Sequence, residues 1–92
     1  EDNLRSVLRR RQREIQRCYE RGLAQNPELA GRVMLQFTIG EGGRVSDVAL
    51  RSNELGSDVG SCIEGAVRRW RFDPPDGGSV IVRRPYIFSS GG

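Results

Sequence analysis

GRVMLQFTIGEGGRVSDVALRS, residues 31–52, alternates and then turns back on itself. Val33, Leu35, Phe37 and Ile39 share one parity, while Met34, Gln36 and Thr38 share the other, which predicts a half-buried strand over about residues 32–40. Gly40-Glu41-Gly42-Gly43 follows, a turn rich in residues that tolerate positive φ. The second strand, about residues 43–51, is less regular. Val45, Val48 and Leu50 change parity between 45 and 48, so a bulge or twist is expected near Asp47. The two strands form a hairpin.

Working outward, Ser57 or Asp58 is expected to open a helix over about residues 57–70, with Val59, Cys62, Ile63, Ala66, Val67 and Trp70 on its apolar face. The run DPPDGG, residues 73–78, stops it. A third strand over about 79–88 places Val80, Val82, Tyr86 and Phe88 on one parity. Arg84 interrupts that parity, and Pro85 adds a residue without an N–H. On the other side of the hairpin, a long helix is expected over about residues 3–25, capped by Asp2 or Asn3 and ended by Asn26-Pro27. Leu4, Leu8, Ile15, Cys18, Tyr19 and Gly22 form its apolar stripe with Val7 at the edge, and Arg9, Arg10, Arg13, Arg17 and Arg21 lie opposite. Arg11 falls inside the stripe, where only a snorkelling side chain accommodates it.

These elements define an α+β fold of order α-β-β-α-β. Two amphipathic helices and one small sheet are satisfied most simply with both helices on one face. A right-handed crossover through the second helix lays the third strand beside the first, antiparallel to it, for a sheet order 2-1-3. The second and third strands are then edges, which suits Pro85. Residues 1–92 are read as one domain, and the Ser-Ser-Gly-Gly ending as the ragged end of an excised piece. No apolar run is long enough to span a membrane, and no signal peptide is recognised.

All fifteen basic residues are Arg. Residues 1–25 hold seven of them against four acids, and the rest of the chain holds eight against eight, so the net +3 belongs to the first helix. An arginine face on a packed helix is read as solvated surface. That face carries no aromatics interleaved with its arginines, and the sheet offers no aromatic platform, so specific nucleic-acid binding is not expected; weak binding at low salt should vanish near physiological ionic strength. Catalysis finds little support. Without His, imidazole metal sites and Ser-His or Cys-His pairs are excluded. The glycine turn lacks the Lys-Ser/Thr of a phosphate loop and joins two strands of a hairpin. No catalytic residue, metal ligand or cofactor is assigned.

The run from Gly31 to Ser52, the stretch AVRRWRFDPPDGG (66–78) and the closing strand together resemble the C-terminal domain of TonB, with Arg68 to Pro74 the most telling piece. The long first helix with Cys18-Tyr19, the NPELAGRV junction and Cys62 resemble one branch, the C-terminal domains of AgmX/PglI-type gliding-motility proteins. The likeness spans about residues 12–88, and it departs at Arg84, where that branch usually has an aromatic, and at Asp73, where a proline is common. It implies a periplasmic, non-catalytic domain of an inner-membrane-anchored protein. Such a domain binds short segments of outer-membrane or periplasmic partners within a machine driven by the proton gradient, for gliding motility or energy transduction. A self-assembly domain pairing through strand edges as a homodimer, and a basic nucleic-acid-binding domain, are the alternatives.

Several residues carry two readings. Trp70 and Tyr19 are expected to pack rather than to recognise a ligand. Arg83 and Arg84 either favour an acidic partner or discourage edge-to-edge aggregation. Cys18 and Cys62 are either buried thiols or a disulfide between the helices. The disulfide is the expectation, because each lies on its helix's apolar face and an even, widely spaced pair suits an oxidising compartment. The partner-binding edge is assigned to Val80, Ile81, Val82, Arg83, Arg84, Pro85, Tyr86 and Ile87 of the third strand.

Overall fold

The structure is a computed structural model and describes residues 2–89, apart from the side chain of Asp2. The capping role offered to Asp2 and the Ser-Ser-Gly-Gly ending beyond Ser89 lie outside the described residues. The elements are α1 (Asp2–Gln25), β1 (Gly31–Ile39), β2 (Val45–Asn53), α2 (Ser57–Arg68) and β3 (Val80–Phe88). They form a three-stranded antiparallel sheet of order β2-β1-β3. The crossover through α2 places β3 beside β1, as two helices sharing one face require.

The change of parity in the second strand is a bulge. Gln36 pairs with Ala49 and Thr38 with Ser46, so Phe37 alone faces Asp47 and Val48, and Asp47 takes φ 52° to absorb the extra residue. A second register shift lies between Met34 and Leu35. β2 begins at Val45 rather than at residue 43 because Gly43 belongs to the turn. Gly43 accepts a backbone hydrogen bond from Phe72 at 2.9 Å and has φ 87°; a Cβ there would collide with the Phe72 carbonyl. Only glycine serves at that position.

β1 is the centre of the core. Val33, Leu35 and Phe37 are fully buried, and they join Val7, Leu8, Ile15, Cys18 and Tyr19 of α1 and Val59, Ile63 and Val67 of α2. Each buried Val, Leu, Ile or Phe among them contributes about 1.5–3 kcal/mol through its removal from water. α2 packs over β2, and α1 runs toward β3, where Tyr19 stacks on Phe88 with ring centroids 4.6 Å apart. Between the helices Gly22 permits a close approach, since a Cβ there would clash with Leu29 and Val59. The expected Cys18–Cys62 disulfide joins α1 and α2 beside it, with Cα atoms 5.6 Å apart.

The end of α2 differs from the periodic reading. The helix stops at Arg68, and tighter turns, Arg69 N–H to Ala66 O and Trp70 N–H to Val67 O, drop Trp70 into the core. There it meets Phe37 edge-on at 6.1 Å, while Phe72 stacks on Phe37 at 5.7 Å. The buried indole N–H donates to Glu14 Oε1 at 3.0 Å, and Glu14 Oε2 accepts from Arg11 Nη1 at 2.9 Å. Arg11 is therefore an exposed partner of the carboxylate that holds Trp70, which accounts for its place on the stripe. Capping also departs from expectation. α2 starts after Gly56 with no side-chain cap, so neither Ser57 nor Asp58 fills that role. Asn3, inside α1, accepts the Asp73 N–H at 2.8 Å instead of capping its own helix.

Candidate partner-binding edge

The two edges of the sheet are unequal. β2 is bent by two register shifts, and just before it Arg44 bridges to Arg71, so the segment after α2 covers that end of its outer edge. β3 instead pairs with β1 through nine consecutive residues, Val80 opposite Ile39 to Phe88 opposite Gly31, without a shift. No strand among the described residues pairs with its outer edge. Its backbone is thus a straight, unpaired template.

Alternation sorts the assigned residues onto two faces. Val80, Val82, Arg84 and Tyr86 face the helices, opposite Ile39, Phe37, Leu35 and Val33. Ile81, Arg83, Pro85 and Ile87 occupy the outer face, where Ile81 is 62% exposed and Ile87 77%. The two arginines are consequently separated. Arg83 donates from Nε to Gln36 Oε1 at 2.8 Å across the outer face. Arg84 lies on the helix side with its guanidinium 5.6 Å from the Tyr86 ring centre. A cleft of about 270 Å³ at this rim is lined by Arg5, Leu8, Arg9, Gln12 and Arg84. The sequence marked Arg84 as a break in parity; its meeting with Arg5 and Arg9 depends on how α1 crosses the sheet and has no local signature.

Tyr86 is buried, and neither its hydroxyl nor Arg84 Nε has a hydrogen-bond partner. Burial raises the phenol above its ordinary value of 10.0, while the adjacent guanidinium pulls the other way and only partly offsets it. A raised folded-state value favours the fold below the unfolded phenol's range and opposes it as pH climbs through the folded value. Alkaline titration followed by tyrosinate absorbance should show Tyr86 ionising late and together with loss of tertiary structure. Tyr86→Phe should remove that step; ionisation of Tyr86 in the ordinary range with the fold intact would contradict it.

A second set of surfaces surrounds the disulfide. A groove of about 450 Å³ between the helices is lined by Arg11, Glu14, Arg17, Arg21, Arg69 and Trp70, among others. Among the described residues no group of three or more Cys, Asp or Glu is placed to hold a metal, and no helix is long and apolar enough to cross a membrane.

No family model matches the sequence. Over 85 residues, 92% of this chain, it is 34% identical to the tyrosine-protein kinase MasK of Myxococcus xanthus, and it spans only 13% of that protein's length. Among solved structures, the solution structure of the Pseudomonas aeruginosa TonB C-terminal domain superposes with a TM-score of 0.53 at 28% identity, covering 73% of this chain and 72% of that one. The Helicobacter pylori TonB C-terminal domain gives a TM-score of 0.50 at 22% identity, over 83% and 77% of the two chains, a likeness of fold. The molecule is thus of the class in which two helices cover one face of an antiparallel 2-1-3 sheet. Within that class it has the fold of the TonB C-terminal domains.

Proposed function

We propose that this chain is a non-catalytic protein-binding module of the cell envelope of a Gram-negative bacterium, which captures an extended partner segment along β3. It works in the periplasm as one domain of an inner-membrane-anchored protein, in a proton-motive-force-coupled machine of the gliding-motility or TonB type. The observation that carries this reading is the edge of β3: nine residues in unbroken register, open on one side, in a TonB-like fold. An incoming strand satisfies unpaired backbone groups there with few demands on its sequence. Each hydrogen bond contributes about 0.5–1.5 kcal/mol. The segment must become ordered as it docks, so affinity is modest, as suits a contact that forms and releases. Pro85 offers no N–H and helps set the register. The disulfide fits an oxidising compartment. The match to a short part of a much longer kinase agrees with a module appended to larger proteins.

Exposed Ile81 and Ile87 favour a second reading, pairing of two copies through β3. Sedimentation separates the two, since a monomer independent of concentration removes it. In cells, a photo-crosslinking amino acid at Ile81 or Ile87 of the full-length protein should capture an outer-membrane or periplasmic protein, whereas one at Ser46 or Arg51 on β2 should not. Capture from β2 alone would overturn the assignment.

A further inference from the structure

Arg84 occupies a position its neighbours mark for burial. Val82 and Tyr86 flank it on the helix side of β3, and Leu35 lies opposite on β1. Its Nε is buried without a partner, and so is the hydroxyl of Tyr86, a residue only 7% exposed. Arg5 and Arg9 of α1 line the same cleft with Gln12, and no carboxylate does. An unpartnered Arg84 Nε and three converged arginines at a partly desolvated rim call for an anion.

We propose that this cleft is a carboxylate-binding notch that reads one acidic side chain of the segment docked on β3, an inference that rests on β3 being the docking edge. Directly opposed residues on neighbouring strands share a face. The segment's residue opposite Arg84 therefore projects toward α1 and into the notch, where Glu or Asp meets the guanidinium fork. Arg83 plays no part in this, because its side chain is on the outer face and bonded to Gln36. On that outer face the segment's residues opposite Ile81 and Ile87 meet exposed apolar side chains. The partner is thus an extended segment with one acid flanked, three residues to either side, by apolar residues.

The symmetrical peptide TITTETTIT and its counterpart TITTQTTIT present this pattern in either strand direction. Titrated into the isotopically labelled 92-residue chain at low ionic strength, both should shift the amides of residues 80–88. The acidic peptide should bind roughly tenfold more tightly, an advantage that shrinks with added salt. Arg84→Gln should abolish that advantage, so that the acidic and amide peptides bind the variant equally. Arg9→Gln, on the exposed surface of α1, should reduce it and serves if Arg84→Gln does not fold. Equal affinities with shifts along 80–88 would overturn the notch and leave the docking edge standing. Shifts elsewhere, or none in β3 with either peptide, would overturn both.

Discussion

Replacing Cys18 and Cys62 together by Ala is expected to lower stability by about 4 kcal/mol. The bond closes a loop across a sequence separation of 44, and chain-entropy reasoning assigns that magnitude to the freedom restored to the unfolded state. A 92-residue domain has a total stability of roughly 5–14 kcal/mol, so the loss is a large part of it. The effect should be large because the bond ties α1 to α2 across the whole β1–β2 hairpin, a long loop to close in the unfolded chain. Urea denaturation of the oxidised and doubly substituted proteins measures it. Coincident midpoints would show that the helices hold together without the bond.

Trp70→Ala should cost about 3–5 kcal/mol, the range for deletion of a fully buried large aromatic. Trp70 is 1% exposed and closes the space between α1 and β1 against Phe37 and Phe72. Trp70→Phe separates two contributions, because it keeps a ring but leaves Glu14 without the indole donor. Its cost should be smaller than that of Ala and should fall further in a Glu14→Ala background, where no acceptor is stranded. Thermal unfolding followed by circular dichroism checks the series. A loss below about 1 kcal/mol for Trp70→Ala would mean the core closes without this side chain.

The hairpin, the helix stripes, the sheet order and the cysteine pairing were legible because alternation and helical periodicity state which face each element buries. Val33, Leu35, Phe37 and Ile39 needed no tertiary information to be placed inside, and the parity change around Asp47 located the bulge. Periodicity is silent about side chains at the rims. Arg11 made no sense on its own helix because its role passes through Glu14 to Trp70, 56 residues from that carboxylate. Asn3 looked like a cap and instead bonds Asp73, 70 residues away. The candidate edge followed from strand order, but the division of Arg83 and Arg84 between two faces gained meaning only with the course of α1. The coverage of β2 by Arg71 was likewise invisible, since an isolated bridge leaves no pattern in sequence.

Addition of a partner strand to β3 is what the proposed function requires of this domain. Amide hydrogen exchange and cross-strand proton–proton contacts, recorded with the segment of whichever envelope protein the photo-crosslinks identify, test it most directly. Contacts from that segment to residues 80–88 and new protection at alternate amides there are expected, with β2 unchanged. Perturbations centred on residues 44–51, with 80–88 silent, would contradict it.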